Sequence, residues 1–157
     1  MKTIYLAGGL FNAGERSHNL HLERWLKKLE YTVILPQREA LKFAEGDHFN
    51  IPSIVAECAR FAMDSNVIYV GCIDGADADS GTAVEYGMAI AATERAIVYR
   101  TDFRTALHKE VGVNAMFTAE GTRFIYLPCY VTELQDVDAY YQVLARKIQE
   151  TIQEMEL

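Results

Sequence analysis

The chain has 157 residues, of which 50% are hydrophobic, and it carries a formal net charge of −7. This length and hydrophobic fraction predict that residues 1–157 form a single domain with a buried core. The acidic balance, without a cluster of lysine and arginine, excludes a nucleic-acid partner, which requires a concentrated basic face.

The first half of the chain begins with an apolar, β-branched run, Thr3–Ala7, which ends at two glycines and predicts a buried strand. Apolar residues recur at helical spacing over Glu15–Leu29 and predict a helix. A second strand is predicted over Thr32–Leu35, and the polar segment 38–50 should be a loop with a helical turn. Ile51–Met63 is predicted to be a helix with an apolar face that consists of Ile51, Val55, Cys58 and Ala62.

The second half continues the alternation of strands and helices. Val67–Gly71 predicts a third strand, Ile73–Asp79 a flexible acidic loop, and Thr82–Ala92 an alanine-rich helix. Residues 102–121 form a connection whose length is typical of a functional or partly helical segment. The remaining predicted elements are a fourth strand, Ala96–Arg100, a fifth strand, Phe124–Leu127, and a final amphipathic helix, Asp136–Met155.

Apolar strands that alternate with helices predict a flavodoxin-like or Rossmann-like doubly wound fold. Its five-stranded parallel sheet should carry helices on both faces. In such sheets the ligand lies beyond the carboxyl ends of the strands, at the point where the strand order reverses. The segments expected at that edge are Gly8–Phe11, Pro36–Gln37, Cys72–Gly81 and Thr101–Arg104.

Several binding motifs are missing. The early glycines do not form GxGxxG, and there is no GxxxxGK[ST], so a flavin-binding role rests on fold class alone. Asp74, Asp77 and Asp79 alternate as in a calcium loop but lack its glycine and closing glutamate. His18 and His21 show no metal-binding spacing and are interpreted as surface polarity, as is usual for such histidines. We therefore expect neither a metal nor a cofactor.

Targeting and redox signals are also missing. The N-terminal apolar run is too short for a signal peptide, and no run reaches the roughly 18 apolar residues of a membrane span. Three cysteines without CxxC spacing predict reduced thiols in the core. Together these features predict a cytoplasmic protein without a membrane partner.

The segment that suggests chemistry runs from Asp79 to Gly87, between a buried strand and a helix. Glu85 is expected about one turn inside that helix, where the helix dipole and unpaired N–H groups favour its ionised form. A fixed carboxylate there can attack an anomeric carbon or stabilise an oxocarbenium-like transition state. Asp79 can supply a second carboxyl group for proton transfer.

A purely structural interpretation of the same residues is also open. Thr82 and Glu85 have the spacing of a capping box, in which Glu85 only closes the start of the helix. Gly81 and Gly87 can likewise serve only to bring the helix close to the sheet.

The order of several motifs resembles the nucleoside 2-deoxyribosyltransferase family over most of the chain. IYLAGGLFNAGER resembles the start of that family, YTVILPQ its second strand, and DSGTAVEYGMAIA its nucleophile segment. TDFR and VNAM resemble its DFR and NLM elements. The resemblance implies base exchange on 2′-deoxynucleosides through a covalent 2-deoxyribosyl ester, with net retention and with free nucleobases as second substrates.

The resemblance also implies roles for individual residues. Glu85 would be the nucleophile, Tyr5 would hydrogen-bond it, and Asp79 would bind the sugar or assist protonation of the leaving base. Phe11 would stack on the base and Gln37 would contact it, with further substrate contacts at Gly8, Gly81 and Met116. Asn114 would reach the sugar of a neighbouring subunit, which implies a homo-oligomer with a dimer as the minimum. Asp102 and Arg104 would pair, either on the pocket floor or only as a surface ion pair.

Outside this family, a core tyrosine, an apolar plug and ordinary turn chemistry account for Tyr5, Phe11 and Gln37. One position departs from the family pattern. Many members carry an aspartate on the helix before the third strand, where this chain has Cys58 with Glu57 beside it. Glu57 or Asp79 then takes over that role, or the role is dispensable.

Two other functions stay open at this point. A nucleoside 5′-monophosphate N-glycosidase uses the same glutamate, and Ser80 and Arg104 favour it, whereas the acidic residues between Asp74 and Asp79 disfavour a phosphate. A catalytically silent nucleoside-binding module is the second alternative.

Overall fold

The computed structural model describes residues 1–104 and 112–155. Its first elements are β1 (Thr3–Ala7), α1 (Ala13–Lys28), β2 (Thr32–Ile34), α2 (Pro36–Glu39), a 3₁₀ helix (Ala40–Phe43), β3 (Ala44–Glu45), β4 (His48–Phe49) and α3 (Ile51–Ala62). The later elements are β5 (Val67–Cys72), α4 (Ser80–Thr93), β6 (Ala96–Arg100), a 3₁₀ helix (Ala115–Thr118), β7 (Thr122–Tyr126), a 3₁₀ helix (Leu134–Asp136) and α5 (Val137–Glu154). His108 and the middle of the predicted 102–121 connection lie outside the described residues.

Five strands form one parallel sheet in the order β2-β1-β5-β6-β7. This confirms the predicted doubly wound α/β fold. Tyr5 on β1 pairs with Ile34 on β2 and with Tyr69 on β5. The strand order reverses between β1 and β5, and this point is where a doubly wound sheet opens a crevice for a ligand.

Alternate residues of β1 point to opposite faces of the sheet, as strand geometry requires. Ile4 and Leu6 belong to a core with apolar residues of α1 and α5. Tyr5 and Ala7 belong to a second core, with apolar residues of α3 and α4. Tyr5 therefore faces the same layer as the helix that carries Glu85.

Helix α1 begins at Ala13, two residues before the predicted start, because Asn12 caps it. The Asn12 side chain accepts a hydrogen bond from the Glu15 N–H, and the Glu15 carboxylate accepts from the Asn12 N–H in return. This reciprocal arrangement satisfies two of the unpaired N–H groups of the first turn. It also orients the turn after β1, where Phe11 lies.

Two sequence predictions differ from the structure. The segment 38–50 contains the β3–β4 hairpin in addition to helical turns. The apolar face predicted for α3 is only partly buried: Ala62 is 2% exposed, whereas Ile51 and Val55 are 59% and 57% exposed. The helix packs on the sheet through its C-terminal half, and periodicity alone does not show where along a helix the contact begins.

The acidic loop 73–79, predicted to be flexible, is tied to the strand beside it. Asp74 accepts hydrogen bonds from the Asp102 N–H, at 2.9 Å, and from the N–H and hydroxyl of Thr101. Arg100 donates to the carbonyls of Ile73 and Gly75. The loop thus presents fixed carboxylates at the edge of the sheet.

Over the described part of the chain, no helix combines the length and hydropathy needed to cross a membrane.

Candidate active site

The candidate site lies at the carboxyl end of the sheet, where Tyr5 of β1 meets Glu85 of α4. The Tyr5 side chain is fully buried, and its hydroxyl donates a hydrogen bond of 2.8 Å to Glu85 Oε1. The contact predicted between these residues is therefore present. A buried donor that is held by a sheet restricts the carboxylate to one orientation.

Asp79, not Glu85, caps helix α4. Its Oδ2 accepts hydrogen bonds from the Thr82 N–H at 2.9 Å and from the Thr82 hydroxyl at 3.1 Å. Glu85 lies six positions after this cap, so its side chain points across to β1 instead of back to the helix start. The capping-box interpretation of Glu85 is wrong, since an aspartate already occupies the position that a cap requires.

The electrostatics of Glu85 also differ from the sequence prediction. Burial raises the pKa of Glu85, the Tyr5 and Cys58 hydrogen bonds lower it, and the negative charge of Asp79 raises it again. The net pKa lies above the usual range of a glutamate. Desolvation is the largest contribution to this shift, and it outweighs the helix dipole from which an ionised glutamate is predicted.

Helix α3 supplies a third side chain to this cluster. Cys58 lines a narrow crevice together with Tyr5 and Phe61. Phe61, on the same face of α3, stacks on the Tyr5 ring with centroids 5.9 Å apart. Glu57, which was considered as a replacement for the family aspartate, instead forms a bidentate pair with Arg60, with both distances 2.8 Å.

The residues predicted to contact the base have different surroundings. Phe11 is 81% exposed, and its ring is free to stack on a ligand. Gln37 is buried, and its amide is already engaged: Oε1 accepts from Asn19 Nδ2 at 3.0 Å, and Nε2 donates to the Arg16 carbonyl at 3.3 Å. A base contact from Gln37 requires one of these bonds to be exchanged.

The predicted glycines lie at close approaches. A Cβ at Gly8 would be 3.1 Å from Cys72 Cβ, where β1 leaves the sheet beside β5. A Cβ at Gly81 would be 3.2 Å from Asp79 Oδ2, the atom that caps α4. At both positions a side chain would crowd a neighbouring atom, so glycine permits the close packing seen there.

Asn114 and Met116 lie on an exposed 3₁₀ turn. The Asn114 side chain accepts a hydrogen bond of 3.0 Å from the Met116 N–H, and Met116 is 77% exposed. The Met116 side chain is therefore open to solvent in this chain.

A cavity of about 540 Å³ opens at the same edge of the sheet, on the side of α1 and α5. Its lining includes Asp79 but neither Tyr5 nor Glu85. The cavity therefore lies beside the Tyr5–Glu85 pair, and Asp79 is on its wall. The carboxylates that line it are those of Glu15, Asp74, Asp77 and Asp79.

Arg104 is the cation among the described residues that line this cavity, and it is ion-paired with Asp102. The predicted Asp102–Arg104 pair is therefore present. The electrostatic field of the cavity is dominated by carboxylates and disfavours a phosphate dianion.

His18 was interpreted as a surface residue, and that interpretation is wrong. Its Nε2 lies 2.9 Å from the Tyr99 hydroxyl and its Nδ1 lies 2.9 Å from the Tyr141 hydroxyl. Burial lowers the pKa of His18. The histidine joins α1, β6 and α5 under the cavity, and only tertiary packing brings these residues together.

No group of three or more metal-binding side chains is found within residues 1–104 and 112–155.

These features define a doubly wound α/β protein with a partly buried, hydrogen-bonded carboxylate at its switch point. A family model described as nucleoside 2-deoxyribosyltransferase matches residues 4–143. The chain belongs to the nucleoside 2-deoxyribosyltransferase family, whose enzymes act on nucleosides and nucleobases.

Solved structures share the fold at low sequence identity. A conserved protein from Enterococcus faecalis V583 has a TM-score of 0.61 and 19% identity, covering 92% of this chain and 99% of its own. A 2-deoxyribosyltransferase from Bacillus psychrosaccharolyticus has a TM-score of 0.55 and 24% identity, covering 91% and 95%. The CMP N-glycosidase BcmB from Clostridium botulinum has a TM-score of 0.52 and 16% identity, covering 88% and 100%. No functionally curated protein matches the chain.

Proposed function

We propose that the protein is a nucleoside 2-deoxyribosyltransferase that exchanges the base of a 2′-deoxynucleoside, with Glu85 as its nucleophile. The observation that carries this proposal is the 2.8 Å hydrogen bond from the buried Tyr5 hydroxyl to the Glu85 carboxylate. A carboxylate held at the switch point of the sheet is placed where a ligand binds in this fold. Its orientation does not have to be established during the reaction, and this lowers the entropic cost of attack.

The reaction proceeds in two displacements. In the first, a Glu85 carboxylate oxygen forms a bond to C1′ while the C1′–N bond breaks and the base departs with a proton on nitrogen. In the second, a nitrogen of the incoming base attacks C1′ from the opposite face, the ester oxygen leaves as the Glu85 carboxylate, and the N–H proton of the incoming base returns to the group that protonated the first base. Two inversions give net retention, as in glycosidases that use a carboxylate nucleophile. Asp79, which lies near enough to raise the pKa of Glu85, is the proposed group for sugar binding or proton transfer.

The surroundings of the site support a nucleoside over a nucleotide. Four carboxylates line the neighbouring cavity, and the Arg104 guanidinium is already paired with Asp102. A 5′-phosphate dianion there would meet like charge with little compensation. The second candidate, a nucleoside 5′-monophosphate N-glycosidase, is favoured by one observation, the position of Arg104 on the cavity wall.

The remaining residues are proposed to act on the substrate from the edges of the site. The exposed Phe11 ring can stack on the base, and Asn114 and Met116 are proposed to reach the site of a second copy in a homo-oligomer. We propose one domain, a cytoplasmic location, and no metal or cofactor.

The test is chromatography of bases and nucleosides after the protein is mixed with deoxyadenosine and cytosine. We expect deoxycytidine and adenine with the wild type and neither with Glu85→Ala. Glu94→Gln, which changes an acid at the far end of the same helix, is the matched control and should keep full activity. Full activity of Glu85→Ala contradicts the proposal.

A second measurement separates the two candidate functions. We expect faster release of base from deoxyadenosine than from its 5′-monophosphate. Preference for the monophosphate, lost in Arg104→Ala, would establish the N-glycosidase instead.

A further inference from the structure

We propose that Tyr69 is a positioning residue of the candidate site. Its hydroxyl holds the first turn of α4 against β5 and thereby keeps Glu85 within hydrogen-bonding distance of Tyr5. This inference rests on the proposed function, in which Glu85 is the nucleophile, and it adds a residue that acts on the nucleophile without touching the substrate.

Tyr69 contacts the backbone of α4 directly. Its hydroxyl donates a hydrogen bond of 2.8 Å to the carbonyl oxygen of Thr82, and both residues are buried. The Asp79 carboxylate accepts hydrogen bonds from the N–H and the hydroxyl of the same threonine. Thr82 is therefore held at its carbonyl, its N–H and its side chain. These contacts fix both the position of the first turn along β5 and its rotation about the helix axis.

The position of this turn determines where Glu85 lies. Thr82 and Glu85 are three residues apart and are neighbours on one face of the helix. Tyr5 and Tyr69 are register partners on β1 and β5, so their side chains lie on the same face of the sheet, with ring centroids 6.2 Å apart. Two neighbouring tyrosines thus contact one segment of α4, Tyr69 at a backbone carbonyl and Tyr5 at the nucleophile.

Gly71 leaves the space that this arrangement requires. Residues 69 and 71 are two positions apart on β5 and face the same side of the sheet. A Cβ at Gly71 would lie 2.7 Å from the Tyr69 hydroxyl oxygen and 2.8 Å from the Tyr69 ring. The ring therefore lies along the strand, over the glycine, and its hydroxyl reaches towards the start of α4. A side chain at position 71 would displace the hydroxyl from Thr82.

Tyr86 provides a matched control for the loss of a buried hydroxyl. It is also buried, it lies on α4, and its hydroxyl is 2.7 Å from the Thr122 hydroxyl on β7. Tyr69→Phe and Tyr86→Phe each remove one hydrogen-bonded hydroxyl and keep the ring, so their effects on the free energy of unfolding should be comparable. Only Tyr69→Phe releases the turn that positions Glu85.

The experiment follows the Glu85 carboxyl group by ¹³C NMR of protein labelled at glutamate side-chain carboxyl carbons, with the Glu85 signal assigned from its loss in Glu85→Gln. The titration midpoint is measured in the wild type, Tyr69→Phe, Gly71→Ala and Tyr86→Phe. We expect Tyr69→Phe and Gly71→Ala to move the midpoint to higher pH by about half a unit, because a weaker Tyr5 hydrogen bond stabilises the ionised form less. Tyr86→Phe should leave the midpoint unchanged.

Base-exchange assays measure the consequence for the reaction. We expect kcat to fall about 5- to 20-fold in Tyr69→Phe and in Gly71→Ala, with KM changed less than about 2-fold, because the affected contact does not bind the substrate. In Tyr86→Phe, kcat should stay within about 2-fold of the wild type. Since Tyr69 acts through the Tyr5 contact, adding Tyr69→Phe to Tyr5→Phe should lower kcat by less than about 2-fold further.

Two results would overturn the inference. One is a Glu85 midpoint and a kcat in Tyr69→Phe that equal those of the wild type or of Tyr86→Phe. The other is a full additional loss of kcat when Tyr69→Phe is added to Tyr5→Phe, because Tyr69 would then act independently of the Tyr5–Glu85 contact. The titration needs no turnover, so it tests the position of Glu85 even where full activity of Glu85→Ala has already refuted the proposed function.

Discussion

The Tyr5 hydroxyl and the Glu85 carboxylate are 80 positions apart in sequence and 2.8 Å apart in space. The tyrosine comes from the strand next to the reversal of strand order, and the glutamate from the helix that follows the neighbouring strand. Burial raises the pKa of Glu85 while the hydrogen bond from Tyr5 lowers it. Desolvation and the Tyr5 hydrogen bond therefore act in opposite directions on the pKa of Glu85.

Tyr5→Phe removes this donor and leaves the ring in place. A hydrogen bond to a charged group contributes roughly 1.5–3 kcal/mol, so we expect kcat/KM for base exchange to fall about 10- to 100-fold. The acidic limb of the pH profile should move to higher pH, because Glu85 must be ionised to attack and its pKa rises when the donor is lost. Steady-state rates measured across the acidic range check both expectations.

Tyr130→Phe is the control for this variant, since Tyr130 is 60% exposed. It should leave the rate and the profile unchanged. If the pH dependence of the rate were the same in Tyr5→Phe and in the wild type, Tyr5 would have no part in the mechanism.

The capping role of Asp79 can be separated from the role that we propose for it toward the substrate, because asparagine caps a helix about as well as aspartate does. Asp79→Asn should keep the free energy of unfolding within about 0.5 kcal/mol of the wild type, whereas Asp79→Ala should lose about 1 kcal/mol. Activity should fall in both variants if the carboxylate binds the sugar or transfers a proton. Chemical denaturation measures the capping role, and base-exchange assays measure the role toward the substrate. If Asp79→Asn kept full activity, Asp79 would act only as the helix cap.

The Glu23 carboxylate links α1 to α2, the helix that carries Gln37. It accepts hydrogen bonds from Arg38 at 2.5 and 2.7 Å and pairs with Lys27 at 2.8 Å. The Arg38 hydrogen bonds are the largest effect on the pKa of Glu23 and hold it below the usual value. The stability contributed by this group is therefore present above the pKa of the unfolded chain, 4.5, and is lost as the pH falls through the lower folded value.

Glu23→Gln should therefore lower the free energy of unfolding by about 1–2 kcal/mol at neutral pH, with a smaller difference below the ordinary glutamate range. Arg38 is partly exposed, and solvent screening keeps this value modest. Urea denaturation at several pH values measures the difference. Glu133→Gln, at an exposed position, should show no such pH dependence, and a constant difference for Glu23→Gln would argue against the pairing.

Gly121 precedes β7 with a φ of +85°, and a Cβ there would clash with the carbonyl oxygen of Glu94. Gly121→Ala should lower stability by about 3 kcal/mol, from backbone strain together with this clash. Gly46 also has a positive φ, of +63°, but no atom within 4 Å of an added Cβ. Gly46→Ala should cost only about 1 kcal/mol, and equal melting temperatures for the two variants would contradict the steric argument.

Part of the candidate site follows from local sequence. The run from Asp79 to Glu85, placed after a buried strand, indicates a carboxylate near the start of a helix. The DSGTAVE pattern leaves its purpose open, since a cap and a nucleophile use the same residue types. Cys58, Phe61 and His18 carry no local signal of their contacts, because each meets partners from other elements.

The sequence by itself determined the five strands of the main sheet, the long helices and their alternation, since apolar periodicity and turn residues act over a few neighbouring positions. It thereby determined the doubly wound sheet and the edge at which a ligand binds. The tertiary structure decided that Asp79 caps α4, that Glu85 bonds Tyr5, and that burial raises the Glu85 pKa. It also decided that only the C-terminal half of the α3 face is buried. Desolvation and hydrogen bonding depend on atoms that come close only when β1, α3 and α4 pack together, and this is why they had to be seen in the fold.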